Sequence, residues 1–215
     1  KDYVGKTLIM RGALGVDRTA VPIATTEVTV RTPGRLLLSP SNDAPDQVFT
    51  FGSNPALPVR LDGGLVGQGP GDDVELANSL EVTGTGTVLI RNPIAPVALN
   101  PSTEELVFSG PLVGPAGAVL KILASDTTSG LAQSRARFSA AVGNTFAGTV
   151  SPGPFAVARF NGDYAQTSVA LDGGKVDGHG TVAAVTGGGI VRPDGTNCRS
   201  EEHTSELQSR QYLVC

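Results

Sequence analysis

Short apolar runs rich in Val, Leu, Ile, Thr and Phe recur along residues 7–191, separated by Gly, Pro, Asn and Asp. This pattern is typical of strands joined by turns, not of helices, whose apolar positions recur about every 3.6 residues. Apolar and polar residues alternate most clearly in 27–30 and 81–83, which predicts strands with one face on a core and the other in water. The predicted strands include 7–10, 26–30, 35–38, 48–51, 59–61, 80–83, 87–90, 105–109, 118–123, 136–140, 155–160, 168–171, 181–185 and 189–191.

Only the stretch 125–136 has a composition that is compatible with a helix. Its Thr-Thr-Ser-Gly centre disfavours a helix, because Ser and Thr side chains compete for backbone hydrogen bonds and Gly adds backbone entropy. We expect a loop there, or a single helical turn.

Two pairs of segments are internally similar. Residues 59–69 and 169–180 share Val-x-Leu-Asp-Gly-Gly before a second short run, and 83–88 is similar to 177–182. The glycines permit positive φ at tight corners, and the apolar residues between them can stack on neighbouring copies. One copy cannot bury its apolar face alone, so the pattern predicts an all-β solenoid around a narrow column of Val, Leu, Ile and Ala. A β-sandwich is the alternative, disfavoured because aromatic residues are few and Trp is absent.

Composition narrows the classes of partner. The chain holds 28 Gly and 15 Pro among 215 residues, and only 17% of its residues are charged, which fits a turn-rich β protein. Its net charge of −4, without a basic patch, argues against nucleic acid or an anionic membrane surface as partner. No apolar run approaches about 18 residues, so we expect no membrane-spanning helix.

The C-terminal residues differ in composition from the rest of the chain. Residues 199–215 replace Gly, Val and Thr with charged residues, and they resemble the in-frame translation of a common short-read sequencing adapter. We therefore divide the chain into a native body, 1–198, and a non-native tail, 199–215, expected to be disordered or artefactual. The tail holds two Arg and three Glu, so the body carries a net charge of −3.

Without the tail, the body has one histidine, His179, and one cysteine, Cys198. One His and one Cys cannot supply a tetrahedral zinc site, and no disulfide is expected, because Cys215 belongs to the tail. The start, Lys1-Asp2-Tyr3, has neither an initiator Met nor a signal region, so we expect a fragment of a longer reading frame.

Residues 138–150, Phe-Ser-Ala-Ala-Val-Gly-Asn-Thr-Phe-Ala-Gly-Thr-Val, resemble the "LSG-x-NTY-x-G-x-T-x-V" unit of the autotransporter-associated β-strand repeat. The segment 156–194 is similar to the continuation of that unit, and 106–114 to its "LTLSG-x-I-x-G" step. The resemblance covers 105–195 and, less closely, 74–90; before residue 57 it rests on composition and strand spacing. Departures are Phe146, where the family has Tyr, and Asp194-Gly195, where Pro-Gly-Asn would be expected.

The resemblance implies a right-handed parallel β-helix over 1–198, part of the passenger of a secreted or surface-displayed bacterial protein at the cell surface or outer membrane. It implies a translocation barrel outside this fragment. We expect a non-enzymatic structural or adhesive stem that needs no cofactor, with host or environmental glycans or surfaces as partners.

An enzyme is the alternative, because right-handed β-helices also house polysaccharide-cleaving enzymes. Asp72-Asp73 and Gly178-His179-Gly180 superficially resemble the double-Asp and Gly-His-Gly motifs of polygalacturonase-type hydrolases. About a hundred residues separate the two motifs here, whereas the acid and base of a glycosidase must flank one bond. The interpretation favoured by this spacing makes Asp72, Asp73 and Asp177 solvated turn residues and His179 an exposed residue at a strand end. A third alternative is a carbohydrate-binding module built on a β-sandwich.

Other motifs are weaker. The glycines of 67–71 resemble a phosphate loop, but no helix start or Lys-Ser/Thr follows them, so a turn is expected. The Asp-Gly-Gly copies at 62–64 and 172–174 do not recur on successive turns as calcium repeats do, so no metal site is predicted.

Overall fold

The computed structural model describes residues 5–17, 25–39, 47–52, 57–68, 74–90, 105–124, 134–193, 199–202 and 211–214. All regular structure within these ranges is β, with no helix among them. The strands are β1 Gly5–Ile9, β2 Ala13–Asp17, β3 Thr25–Arg31, β4 Arg35–Ser39, β5 Gln47–Phe49, β6 Val59–Asp62, β7 Leu65–Gln68, β8 Val74–Leu76, β9 Leu80–Val82, β10 Thr85–Ile90, β11 Glu105–Phe108, β12 Leu112–Gly114, β13 Val119–Ala124, β14 Ser134–Phe138, β15 Thr145–Phe146, β16 Thr149–Pro152, β17 Ala156–Phe160, β18 Asp163–Gly178, β19 Thr181–Pro193, β20 Arg199–Glu202 and β21 Gln211–Val214.

The strands pair in parallel with the strand that lies one turn later in the chain. From β3 to β14, each strand pairs with the strand three places further on, for example β3 with β6 and β10 with β13. The pairs form a six-stranded sheet and a curled fifteen-stranded sheet. This all-β arrangement of parallel strands in curled sheets is compatible with a β-helix or solenoid. The parallel pairing argues against the β-sandwich, whose neighbouring strands run antiparallel.

Three faces follow from this pairing. Face 1 comprises β1, β3, β6, β9, β12 and β15; face 2 comprises β2, β4, β7, β10, β13 and β16; face 3 comprises β5, β8, β11, β14 and β17. The long strands β18 and β19 pair with each other along almost their whole length and serve more than one face. Ser168 of β18 pairs with β16 on face 2, and Lys175 of β18 pairs with β17 on face 3. One passage of the chain along the three faces is called a rung below.

Side chains alternate between the interior and the surface on every face, and the interior ones line up between rungs. On face 2, Leu36, Val66, Val88 and Ile122 are register partners, and each is fully buried. Their stacking removes aliphatic surface from water at about 25 cal/mol per Å². This part of the core agrees with the expected aliphatic column.

The sequence predicts an aliphatic core, but from β11 onward aromatic side chains occupy the interior of face 3. The Phe108 and Phe138 rings stack with centroids 5.3 Å apart, and Phe138 stacks on Phe160 at 5.2 Å. Tyr164 packs edge-on against Phe138 and Phe160. The phenylalanines are register partners on β11, β14 and β17, so rung stacking sets the ring spacing. The low aromatic content did not predict this stack, because the few Phe residues are nearly all concentrated in the interior.

The two Asp-Gly-Gly copies make the same turn at different corners. Gly63 lies between faces 1 and 2, whereas Gly173 lies between faces 2 and 3, and both have positive φ. A Cβ on the following glycine, Gly64 or Gly174, would collide with backbone carbonyls of the preceding rung. The internal similarity is therefore a similarity of corners and not of whole rungs.

All the predicted strands named above overlap observed ones, and β7 is the second short run after Asp-Gly-Gly; observed strands without a named counterpart include β2, β8, β12, β15 and β16. Of the predicted loop or helical turn at 125–136, residues 125–133 lie outside the described residues. Its last three residues open β14, so that part of the prediction is wrong. Ala136 is fully buried in this strand, and its packing overrides the local preference.

The tail contributes two strands among its described residues. β20 and β21 pair antiparallel with each other, and Gln211 of β21 pairs with Val185 of β19. These eight residues form strands, and the division of the chain into a native body and a non-native tail stays a prediction. No helix in the described part of the chain is long and apolar enough to cross a membrane.

Candidate functional site

The corner between face 3 and face 1 carries the candidate site. At this corner an interior residue of face 3 is followed by a two-residue turn that often ends in Gly, as in Asn161-Gly162 and His179-Gly180. A Cβ on Gly162 would collide with the Ala140 carbonyl oxygen, and a Cβ on Gly180 with that of Gly162. Glycine is therefore required here by the close approach of successive backbones, and the turns stack directly on one another.

Four side chains form a square on the outside of this corner. Phe160 pairs with Gly178 and Asp163 with Thr181, so the residues between them, Asn161 and His179, face each other on neighbouring rungs. Rungs lie about 4.8 Å apart in a parallel sheet. Asn161 and Asp163 of one rung thus stand beside His179 and Thr181 of the next.

Asp163 is fixed by hydrogen bonds on one of its two oxygens. Its Oδ1 accepts from the Thr181 hydroxyl and, at 3.1 Å, from the backbone N–H of Ala165. The Thr181 hydrogen bond, followed by that from Ala165, lowers the pKa of Asp163, so the carboxylate is ionised at neutral pH. Its Oδ2 has no hydrogen-bond partner among the described residues.

Asn161 and His179 leave their polar groups available. Neither side chain forms a hydrogen bond within the described part of the chain, and His179 is exposed. Together with Asp163 and Thr181 they line an open depression of about 370 Å³, which Gly162, Ala165 and Gly180 complete. The depression is shallow and opens to solvent over most of its extent.

Asn144 supports the corner from beneath. Its Nδ2 donates to the Ala140 carbonyl at 2.9 Å and to the Asp163 carbonyl at 3.0 Å, and its Oδ1 accepts from the Leu112 N–H at 3.1 Å. It therefore ties three rungs together where the depression begins. Next to Asp163, the Tyr164 ring points inward, and burial raises the pKa of its hydroxyl.

His179 lies where expected, exposed in the bend between β18 and β19. Asp177 does not: it belongs to β18 and is only 5% exposed, so its assignment as a solvated turn residue is wrong. Its carboxylate accepts from Arg159 Nε at 2.9 Å and lies 3.5 Å from Arg135 Nη2. Its ion pairs with arginines of the preceding rungs stabilise Asp177 within the strand. Local sequence does not reveal this cross-strand pairing.

The same network continues to Glu105, whose Oε1 accepts from Arg135 Nη1 at 2.7 Å. The Glu105 Oε2 lies 3.0 Å from Arg137 Nε. The carboxylates of Glu105 and Asp177 are thus held by arginines on the outer side of face 3, in an arrangement that joins successive rungs.

The other predicted candidates do not join this site. Asp72 and Asp73 lie outside the described residues, and so do positions 69–71 of the glycine-rich segment. Gly67 and Gln68 belong to strand β7. Asp62 lies 3.0 Å from Arg31 Nε, in an ion pair. Within the described ranges, no group of three or more His, Cys, Asp or Glu side chains could hold a metal ion.

Sequence reasoning named His179 but missed Asn161, Asp163 and Thr181. The signal that could have found them is the corner pattern itself, an interior position, any residue, Gly, any residue and an interior position, at 108–112, 160–164 and 178–182. Aligning the last two copies places Asn161 beside His179 and Asp163 beside Thr181.

The square can act chemically as a set of hydrogen-bonding groups. One carboxylate oxygen accepts, the amide both donates and accepts, and the imidazole can do either. Among the described lining residues, Asp163 is the single carboxylate, whereas glycoside hydrolysis requires two across the scissile bond.

The comparisons with known proteins add no identification: no family model matches the chain, and neither the curated proteins nor the solved structures contain a match.

Proposed function

We propose that the body of this chain is a non-enzymatic structural and adhesive stem of a secreted or surface-displayed bacterial protein, built as a right-handed parallel β-helix. The observation that carries the proposal is the parallel register of like faces from β1 to β19. Such stacking satisfies the backbone along one axis and leaves each face regular, which is what a spacer requires.

Ion pairs between rungs support a mechanical role. On face 1, Glu27 of β3 pairs with Lys6 of β1 at 2.9 Å and with Arg60 of β6 at 2.9 Å. Arg60 in turn pairs with Glu81 of β9 at 2.8 Å. Four successive rungs are thereby linked on their outer side, in addition to their backbone hydrogen bonds.

Display at the cell surface rests on the resemblance of 105–195 to autotransporter-associated repeats. In a passenger of that kind, the sides of the stem face the environment, so an open polar depression on a corner is available to partners. The adhesive part of the proposal rests on the square of Asn161, Asp163, His179 and Thr181.

A display experiment tests the stem. The full chain, placed between a bacterial signal peptide and a translocation barrel, is expected to reach the surface of intact cells and to resist added protease there. The variant Gly180→Val places a side chain against the Gly162 carbonyl and is expected to be displayed in a protease-sensitive form. Retention inside the cell, or equal protease sensitivity of parent and variant, contradicts the proposal. Release of reducing ends from polygalacturonate by the displayed chain would instead favour the enzyme alternative.

A further inference from the structure

We propose that the depression at the corner between face 3 and face 1 binds a neutral saccharide, whose hydroxyl groups bridge Asp163 and Asn161 of one rung and His179 of the next. This inference rests on the adhesive part of the proposed function and assigns its ligand class.

The first step is the availability of hydrogen-bonding groups. Asp163 Oδ2, the Asn161 amide and the His179 imidazole lack partners among the described residues, although all three line one depression. A saccharide offers adjacent hydroxyls that each donate and accept. A carboxylate oxygen next to an amide and an imidazole is complementary to such a pair, because hydrogen bonds to an ionised acceptor are the stronger kind.

The second step is pre-organisation. Thr181 and the Ala165 N–H hold Asp163 Oδ1, so the orientation of Oδ2 is set before a ligand arrives. Glycine at 162 and 180 keeps the backbones close, and Asn144 anchors the Asp163 carbonyl from the adjacent rung at 3.0 Å. A site on stacked strands loses little conformational freedom on binding, which favours weak but specific recognition.

The third step is charge. Asp163 is the lining carboxylate, and no Lys or Arg belongs to the lining. The nearby arginines, Arg135 and Arg159, are engaged with Asp177 on face 3. An anionic sugar would therefore meet an ionised carboxylate without a compensating cation, whereas a neutral sugar would meet acceptors and donors only. No Phe, Tyr or Trp belongs to the described lining, so stacking of a sugar on such a ring is not a source of affinity here.

The experiment is an NMR titration of the isotopically labelled full chain. Galactose, glucose and mannose are the neutral probes, galacturonate is the anionic probe and glucosamine the cationic one. We expect at least one neutral hexose to shift the amide signals of Gly162 and Gly180, and galacturonate to bind about fivefold more weakly than the matching hexose, the repulsion of two charges a few Å apart in water.

Three variants locate the site. Asp163→Asn removes the repulsion, so galacturonate and galactose are expected to bind equally. His179→Ala and Asn161→Ser each remove one hydrogen bond and are expected to weaken hexose binding about three- to tenfold. The matched control is Asp172→Asn, an exposed carboxylate at another corner, which should leave every affinity unchanged. If one variant loses its β circular dichroism spectrum, the other two carry the same test.

The outcomes separate this inference from the function it rests on. No shift with any hexose, shifts away from this corner, or binding of glucosamine alone would overturn the saccharide assignment while leaving the display result intact. An Asp163→Asn variant that still discriminates against galacturonate would overturn it as well. Failure of display with hexose binding retained would remove the stem proposal and leave the site.

Discussion

The interior of the molecule differs between its two halves. Up to β10 the stacked side chains are mostly aliphatic, as in the column of Leu36, Val66 and Val88. From β11 onward, face 3 is filled by the stack of Phe108, Phe138 and Phe160 with Tyr164 beside it. Aliphatic columns gain from burial alone, whereas aromatic stacks add a geometric preference worth about 0.5–1.5 kcal/mol per pair. The aromatic half should therefore depend more on single side chains.

The rungs also shorten toward the C-terminus. Leu76 and its register partner Phe108 are 32 residues apart, Phe138 and Phe160 are 22 apart, and Phe160 and Gly178 only 18 apart. Rung length does not decide where glycine is required, because a Cβ at Gly110, in a long rung, would collide with backbone as it would at Gly162 and Gly180. The candidate saccharide site lies in the short rungs.

The largest expected effect comes from breaking the aromatic stack at its centre. Phe138→Ala removes a fully buried ring that contacts Phe108, Phe160 and Tyr164, and should cost about 3–5 kcal/mol. The aliphatic counterpart is Leu80→Ala, also fully buried, expected at the lower end of about 2–5 kcal/mol. Urea unfolding followed by circular dichroism measures both. Equal costs would show that the two halves do not differ in this respect.

The buried ion network gives the next effect. The Asp177 side chain is only 7% exposed. Asp177→Asn weakens the hydrogen bonds from Arg159 and removes the negative charge that compensates the charges of Arg159 and Arg135. We expect a loss of about 1.5–3 kcal/mol, within the range for hydrogen bonds to charged groups. Restoration of stability in high salt would contradict burial as the cause, since salt screens buried pairs much less than exposed ones.

Predictability from sequence differs between the same halves. The resemblance to a repeat family covers 105–195, although the spacing between register partners falls there from 30 residues between Phe108 and Phe138 to 18 between Phe160 and Gly178. Before residue 57 the signal is reduced to composition and strand spacing. The strands were largely predictable because alternation is local, as in 27–30.

Contacts between rungs were not predictable from local pattern. The sequence predicts Asp177 to be a turn residue because Gly178 and His179 follow it, but arginines on β17 and β14, one and four strands earlier in the chain, pair with it in β18. Likewise, the square at Asn161 and His179 exists only once register is known, since the two residues are 18 positions apart. Single residues such as His179 could be singled out, but their neighbours could not.

For two corner asparagines, the larger loss of stability is expected in the aliphatic half. Asn78, in the aliphatic half, is fully buried; its Oδ1 accepts from the Phe51 N–H at 2.7 Å and its Nδ2 donates to the Phe51 and Leu57 carbonyls at 3.0 Å. Asn144, in the aromatic half, makes three similar bonds but is half-exposed. We expect Asn78→Ala to cost about 1–3 kcal/mol and Asn144→Ala less, because water can replace lost partners at Asn144. The midpoints of urea unfolding decide, and a larger loss for Asn144→Ala would refute burial as the controlling factor.

The smallest effect is expected for the carboxylate of Glu27 on face 1, which is 17% exposed and pairs with Lys6, whose side chain is 75% exposed. The hydrogen bond from Lys6, followed by that from Thr29, lowers the pKa of Glu27. A carboxyl whose pKa is lower in the folded state stabilises the fold above its unfolded pKa of about 4.3, and this contribution is lost as the pH falls through the folded pKa. Glu27→Gln should therefore cost about 0.2–1 kcal/mol at neutral pH, the value of an exposed ion pair. The difference between parent and variant in urea midpoint should shrink below pH of about 4 and also in high salt. A difference that persists under both conditions would mean that Glu27 acts through packing, and the contrast between the more exposed network of face 1 and the more buried network of face 3 would then be lost.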